Sequence, residues 1–191
     1  MKSIKGTKTE KNLMTSFAGE SQARMRYTYF ASKAKKEGYE QISAIFAETA
    51  DQEKEHAERM FKHLQGGLVE ITASFPAGVI GTTAENLKSA AAGEHEEWSE
   101  LYPRFANEAE AEGFDDVAKM YRMIVVAEKC HEERYNAFLK NVENKSVFKK
   151  DKTIVWQCRN CGFIFEGEEA PAICPACLHA QSYFEEMKSN F

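Results

Sequence analysis

The sequence predicts a mostly α-helical protein, a four-helix bundle with one long crossover connection, followed by a small domain of β-strands and cysteine knuckles. Three observations support this fold class. Long runs of good helix formers fill residues 1–147, and the same residues contain an internal repeat. Four cysteines then lie within twenty residues, in two C-x-x-C pairs. We therefore expect one domain over residues 1–147 and a second over residues 148–191.

The bundle needs four helices, and the sequence predicts them at residues 9–36, 40–65, 83–112 and 115–144. Short glycine-containing turns separate the members of each pair, so each pair should form an antiparallel hairpin. Residues 68–82 are rich in β-branched residues, glycine and proline, and at ~3.3 Å per extended residue they can travel the length of a bundle. Thr83-x-x-Asn86 resembles a capping box without matching it. Pro103 predicts a kink or a locally lost hydrogen bond in the third helix.

Composition and charge narrow the classes of partner. The chain of 191 residues carries a net charge of -5, which argues against nucleic acid or anionic membrane, because both attract basic surfaces. No stretch approaches the ~18 apolar residues of a membrane span, and residues 1–17 lack the apolar core of a signal peptide. Without a signal peptide, paired C-x-x-C motifs indicate metal ligands rather than disulfides. We expect a cytoplasmic protein that binds neither nucleic acid nor membrane.

Each half of the repeat carries a glutamate on its first helix and Glu-x-x-His on its second. The matching pairs are Glu20 with Glu94, Glu53 with Glu128, and His56 with His131. Apolar residues at helical spacing bracket each of them, so four helices direct carboxylates into their own core. Unpaired buried carboxylates are costly, and bound cations remove that cost. A solvated charged face would explain one Glu-x-x-His but not two matched copies. The pattern is that of di-iron or di-manganese carboxylate proteins.

Two further features accompany these ligands. Glu97 has Ala23 as its counterpart in the first half, and it lies one turn from Glu94, either as a fifth carboxylate or as a solvent-facing residue. Tyr27 and Tyr102 match in the repeat, and each lies about two turns beyond a ligand. We interpret these tyrosines as donors that orient carboxylates; the alternative is two ordinary core tyrosines.

The second domain is organised around its cysteines. The predicted ligands are Cys158, Cys161, Cys174 and Cys177, with twelve residues between the two pairs, which is a strong four-thiolate signature. Gly162 allows the positive φ that a knuckle needs, whereas Leu178 stands at the equivalent place in the second knuckle. Four tetrahedral sulfurs suit iron or zinc, so a zinc ribbon also fits. The expected aromatic core consists of Trp156, Phe163, Phe165, Tyr183 and Phe184.

Together these motifs resemble the rubrerythrin family over essentially the whole chain, and the cysteine domain resembles rubredoxin. The resemblance implies a ferritin-like bundle with a di-iron centre and a third iron on the four cysteines. It therefore implies three iron ions per chain, although zinc could substitute at a site. Next to a di-iron bundle, an electron-transferring iron makes more functional sense than zinc in the cysteine domain.

The resemblance also implies a role for each ligand. Glu53 and Glu128 would bridge the two irons, and His56 would replace Glu97 on one of them when the centre is reduced. Charge makes the exchange reasonable, because five carboxylates overbalance two ferrous ions by one negative charge and favour a neutral imidazole. The other terminal ligands would be Glu20 on the iron of Glu97, and Glu94 and His131 on the second iron.

The activity that the resemblance implies is reduction of hydrogen peroxide to water, a peroxidase role in oxidative stress. Electrons would come from an external reductase or a rubredoxin, enter at the four-cysteine iron and pass between the chains of a head-to-tail homodimer. The residues expected to assist at the di-iron site are Glu97, His56, Tyr27 and Tyr102. Two alternatives remain: a ferroxidase or iron-handling protein that uses O2, and a non-catalytic interaction module with a zinc ribbon. Iron storage needs no electron-input domain, and a zinc form would be colourless.

Overall fold

The fold is a four-helix bundle followed by a small antiparallel sheet. A computed structural model describes residues 2–188; residue 1 and residues 189–191, at the outer ends of the two expected domains, lie outside the described residues. The helices are α1 (Lys8–Lys36), α2 (Glu40–Phe61), α3 (Thr83–Glu96), α4 (Tyr102–Ala111) and α5 (Asp115–Glu143). A π-helical turn, Glu97–Leu101, joins α3 to α4, and together they form the third helix of the bundle. The predicted fold class is confirmed. Within residues 2–188, no helix has the length and apolar character needed to cross a membrane.

Two helical hairpins build the bundle, α1 with α2, and α3 and α4 with α5. Each hairpin turns at a glycine with positive φ, 81° at Gly38 and 77° at Gly113. Glycine enters this left-handed region without the steric cost that other residues meet, so it ends both helices at the same point of the repeat.

The two hairpins cap each other's helices. Thr83, at the start of α3, donates its backbone N–H and its hydroxyl to Glu37 in the turn of the first hairpin, at 2.8 and 2.6 Å. Thr9, at the start of α1, donates the same groups to Glu112 in the turn of the second hairpin, also at 2.8 and 2.6 Å. Negative charge is favourable at a helix N-terminus, so these reciprocal contacts join the hairpins with approximate twofold symmetry.

The crossover connection ends at a capping box one residue before the near-match in the sequence. Thr82 accepts the backbone N–H of Glu85, and the Glu85 carboxylate accepts that of Thr82. Asn86 instead binds the backbone N–H and carbonyl of Gly81, at 2.9 and 3.1 Å. Both ends of the Asn86 amide are therefore occupied in closing the connection.

The third helix is irregular where Pro103 predicts it to be. Proline has no N–H to continue the α-helical hydrogen bonds, and the π-helical turn Glu97–Leu101 lies immediately before Tyr102 and Pro103. The offset of the repeat is 74 residues at Glu94 and 75 residues at Tyr102. A π-helical turn accommodates one extra residue of this kind. Glu97 thus lies in a π-helical turn, whereas its counterpart Ala23 lies in the regular helix α1.

The C-terminal domain contains a three-stranded sheet in the order β2–β1–β3, with β1 at Lys149–Cys158, β2 at Ile164–Glu169 and β3 at Phe184–Glu186. Trp156 and Phe184 are fully buried in its core, and Phe163 and Tyr183 pack against them. The prediction that Phe165 belongs to this core was wrong. Phe165 is 37% exposed, because β2 is an edge strand that stays exposed along nearly all of its length.

Candidate metal centres

Four helices bring six of the predicted ligands together in the bundle core. They form two groups, one of Glu20, Glu53, His56 and Glu128, the other of Glu53, Glu94, Glu128 and His131. Within each group, one ligand atom of every residue lies within 4.8 Å of the others. The i, i+3 spacing of Glu-x-x-His puts both side chains on one helix face, which brings each histidine to the centre beside its glutamate.

The two glutamates shared by the groups present one carboxylate oxygen to each histidine. Nδ1 of His56 lies 2.9 Å from Oε2 of Glu53 and 2.9 Å from Oε1 of Glu128. Nδ1 of His131 lies 3.2 Å from Oε1 of Glu53 and 2.9 Å from Oε2 of Glu128. Both carboxylates therefore span the two groups, as ligands that bridge two metal ions must.

The oxygens of this centre are buried and short of hydrogen-bond donors. Glu20, Glu53, Glu94 and Glu128 are each at most 1% exposed. Apart from the two histidines, both carboxylate oxygens of Glu128 and one from each of the other three have no hydrogen-bond partner among residues 2–188. Buried polar atoms are normally paired, and a set of carboxylates with two imidazoles suits iron or manganese. The residues present therefore fit a two-metal centre.

The protonation states reflect the crowding of the carboxylates. Burial and neighbouring carboxylates raise the pKa of Glu94 to about 8, and they raise the pKa values of Glu20 and Glu97 well above the usual range. Burial disfavours the charged form of His131, but hydrogen bonding to Glu128 and its neighbours outweighs burial and raises the pKa of His131 to about 12. Without metal the centre holds protons, which bound metal ions displace.

The two matched tyrosines each hydrogen-bond a glutamate of the other hairpin. The hydroxyl of Tyr27 donates to Oε1 of Glu94, and the hydroxyl of Tyr102 donates to Oε1 of Glu20, both at 2.5 Å. Both rings are fully buried. These are the contacts that the predicted orienting role requires. Each hydrogen bond also links one hairpin to a candidate metal ligand of the other hairpin.

Glu97 lies beside the two groups rather than within them. Its partly buried carboxylate is 3.5 Å from the hydroxyl of Tyr102, while His56 completes the group that contains Glu20. The set with His56 is the one that the family resemblance associates with the reduced centre. An exchange between Glu97 and His56 stays a prediction.

The sequence interpretation missed two residues at this centre, Gln52 and Arg134. Gln52 contacts the outer nitrogen of His131, and Arg134 contacts Gln52. A signal was present in the repeat, where Gln52 directly precedes Glu53 but its counterpart is Ala127.

The four cysteines form the second centre. Their sulfur atoms lie within 4.8 Å of one another, with Cys158 and Cys177 3.8 Å apart and Cys161 and Cys174 3.7 Å apart. The knuckles turn at Gly162, with φ at 78°, and at Leu178, with φ at 61°. The backbone of His179 hydrogen-bonds Cys177 and lowers the pKa of that thiol to about 6. Four convergent sulfurs with one thiol biased towards thiolate fit an iron or zinc ion.

Comparisons with known proteins match both centres. The family model for rubrerythrin matches residues 11–139, and the model for the rubrerythrin rubredoxin-like domain matches residues 156–185. The chain is 63% identical over 190 residues to the rubrerythrin of Porphyromonas gingivalis, covering 100% of this chain and 95% of that one. It is 53% identical over 191 residues to the rubrerythrin of Nitratidesulfovibrio vulgaris, covering 100% of both. It is also similar to the solved structure of nigerythrin in its fully reduced, all-ferrous state, with a TM-score of 0.63, 30% identity and coverage of 96% of this chain and 91% of that chain.

The family matches follow the same order along the chain as the two centres. The first covers the glutamates and histidines of the bundle, and the second covers the four cysteines. Sequence, fold and ligand geometry therefore agree on a ferritin-like bundle joined to a rubredoxin-like domain. The chain belongs to the rubrerythrin family.

Proposed function

We propose that this protein reduces hydrogen peroxide to water at the bundle centre, with electrons that enter through the four-cysteine centre. The reaction takes up two electrons and two protons, breaks the O–O bond and releases two molecules of water. The proposal includes three iron ions per chain, two held by glutamates and histidines and one by cysteines. It also includes a division of the chain into domains at residues 1–147 and 148–191.

The observation that carries the proposal is the presence of a two-metal site and a four-thiolate site in one chain. Two ferrous ions, when bound, supply two electrons and stabilise the negative charge that develops on oxygen as the O–O bond breaks. A ferroxidase that uses O2 has no need of the four-thiolate site, which makes that function the alternative.

Side chains of the bundle are placed to hold and deliver the protons. The hydroxyl of Tyr102 lies 2.5 Å from Glu20 and 3.5 Å from Glu97. Burial raises the pKa of Glu97, so this carboxyl can retain a proton at neutral pH and pass it towards the centre through Tyr102. Tyr27 holds Glu94 in place on the opposite side.

The position of the C-terminal domain supports electron transfer between chains. Tyr39 stacks on Phe148 with ring centroids 6.2 Å apart, and Ser182 lies against the turn at Gly38. From the start of α2 to Glu53 the helix rises ~20 Å, so this contact lies that far along α2 from the carboxylates, although Glu186 also shares a cavity with Arg134 on α5. We therefore include a head-to-tail homodimer in the proposal, in which the cysteine centre of one chain serves the bundle of the other.

An apolar surface supports the homodimer. Met25 and Tyr29 on α1 and Val79 and Ile80 on the connection are between 43% and 85% exposed. They line a common cavity of about 460 Å³. Exposed apolar patches of this kind mark interaction surfaces, and analytical ultracentrifugation measures whether the chain is a dimer. An external reductase or a rubredoxin would then supply electrons, in a reducing compartment such as the cytoplasm.

The test is stopped-flow mixing of the anaerobically reduced, iron-loaded protein with hydrogen peroxide and, separately, with dissolved O2. We expect fast oxidation of the bundle iron by peroxide, followed by the appearance of the red colour of the oxidised four-cysteine iron, and a slow reaction with O2. Preferential reaction with O2 would instead support the ferroxidase. A four-cysteine centre that stays colourless would support zinc and remove the electron-input role.

A further inference from the structure

The outer edge of one histidine of the bundle centre is held by a side chain. Nε2 of His131, on α5, lies 3.0 Å from Oε1 of Gln52, on α2. The opposite ring nitrogen, Nδ1, faces Glu128 at 2.9 Å and Glu94 at 3.6 Å. The imidazole thus stands between an amide on its outer side and the carboxylates on its inner side.

The atom of Gln52 that faces His131 is the amide oxygen, because an arginine determines the orientation of the amide. Arg134 can only donate hydrogen bonds, and its Nη2 lies 3.3 Å from the same oxygen. Arg134 is itself held by Glu48 and Thr49, each at 2.6 Å. Gln52 therefore presents a fixed acceptor to the ring.

A fixed acceptor at Nε2 selects one tautomer of the neutral imidazole. The proton must reside on Nε2 of His131, which leaves the lone pair of Nδ1 directed at the carboxylates, where a metal ion would bind. Outer partners of this kind orient a ligand and strengthen its bond to the metal.

The other histidine lacks this partner. The repeat matches Glu53 and His56 with Glu128 and His131, and it matches Gln52 with Ala127. A methyl group accepts no hydrogen bond. In the described range 2–188, no side chain takes the place of Gln52 at Nε2 of His56, although Nδ1 of His56 faces the carboxylates in the same way as Nδ1 of His131.

We propose that Gln52 is a positioning residue that holds His131 on its metal ion. We further propose that the alanine at position 127 allows His56 to dissociate from the other metal ion. The inference rests on the metal occupancy in the proposed function and deepens it. It explains within one chain why an exchange of ligands belongs to one metal ion and not to the other, although both histidines come from the same repeated motif.

The first test compares Gln52→Leu with Gln52→Glu in the full chain, with ferrous iron as the probe under anaerobic conditions. Gln52→Leu should weaken one of the two bundle sites by roughly ten- to a hundredfold, the usual effect of losing an outer partner of a histidine ligand. The four-cysteine site should bind as before. Gln52→Glu keeps an oxygen acceptor and should bind iron like the parent, which a merely structural role of the side chain would not predict. Equal affinities in the parent and in Gln52→Leu would overturn the role of Gln52.

The second test moves the acceptor to the other histidine. Ala127→Gln should tighten ferrous iron binding at the His56 site by up to about tenfold and slow peroxide turnover, because it holds the ring that is otherwise free. Ala127→Leu has similar bulk without an acceptor and should bind iron like the parent. If Ala127→Gln matched Ala127→Leu in both affinity and turnover, the explanation of the mobile histidine would be wrong.

The readouts separate this inference from the proposed function. A parent protein that binds two ferrous ions in the bundle but does not reduce peroxide would overturn the function, while the affinities would still test Gln52. A parent that binds no iron in the bundle would overturn both. Far-UV circular dichroism verifies that the variants fold. If a variant at position 52 does not fold, Ala127→Gln still tests the inference.

Discussion

Replacing Tyr27 by phenylalanine removes one hydrogen bond from the bundle centre and leaves the packing of the ring intact. The hydroxyl donates to Glu94 at 2.5 Å, and the residue is 1% exposed. Without metal at pH 6 Glu94 is protonated, since its pKa is about 8, and loss of a bond between neutral groups costs ~0.5–1.5 kcal/mol. With metal bound Glu94 is a carboxylate, and loss of the charge-assisted bond costs ~1.5–3 kcal/mol. The difference, ~1–1.5 kcal/mol, corresponds to metal binding that is weaker by roughly five- to tenfold.

Urea denaturation at pH 6, followed by circular dichroism with and without ferrous iron, measures both losses. Tyr135→Phe is a matched control, because its ring is as buried, lies 5.5 Å from that of Tyr27, and carries a hydroxyl with no hydrogen-bond partner in the described part of the chain. This variant should be as stable as the parent, or more stable by up to ~1 kcal/mol, because an unpaired buried hydroxyl is lost. Equal losses in the two variants, or a loss in Tyr27→Phe that metal leaves unchanged, would refute the reasoning.

Four further predictions concern the second cysteine knuckle, Glu97 and the protons of the bundle centre. Leu178→Gly should stabilise the cysteine domain by up to ~1 kcal/mol, because Leu178 is 78% exposed and its φ of 61° is strained for leucine but not for glycine. The midpoint of thermal bleaching of the iron–thiolate colour should rise accordingly, whereas Leu178→Ala should bring no gain. Glu97→Ala should slow peroxide turnover by roughly a hundredfold and leave the visible spectrum of the four-cysteine iron intact, while the exposed neighbour variant Glu96→Ala should change neither; full turnover in Glu97→Ala would exclude its role. Ferrous iron affinity, measured by calorimetry, should rise from pH 6 to pH 9, because metal displaces protons from Glu94, with a pKa of about 8, and from His56, with a pKa of about 10. Folding raises the pKa of Glu94 from 4.5 to about 8, so the metal-free protein should lose stability as pH rises from 4.5 towards 8. An iron affinity that does not change with pH would contradict both pH predictions.

The identity of the candidate ligands could be predicted from the sequence because it depends on local geometry. Residues three apart on a helix share a face, so Glu53 and His56 must point the same way wherever α2 lies. The same holds for the cysteine knuckles, which close within a few residues of chain. The change of offset from 74 to 75 residues coincides with the π-helical turn, but only the structure showed that the extra residue is accommodated there.

Contacts between distant segments lay beyond sequence reasoning. The hydrophobic periodicity of the sequence does not predict that Glu37 caps the helix that begins at Thr83. The two residues are 46 positions apart, and their contact depends on how the hairpins pack. The exposure of Phe165 had the same cause, since a strand pattern does not show which strand lies at the edge of a sheet.

By itself, the sequence determined a helical bundle with repeated Glu-x-x-His motifs, a four-cysteine domain and the chemistry that such ligands favour. Only the tertiary structure decided which carboxylate oxygen faces which histidine, and that Gln52 holds His131 while nothing equivalent holds His56. The physical reason is that repeated motifs give repeated local geometry, whereas hydrogen bonds across helices depend on positions such as Gln52 and Ala127, at which the two halves of the repeat differ.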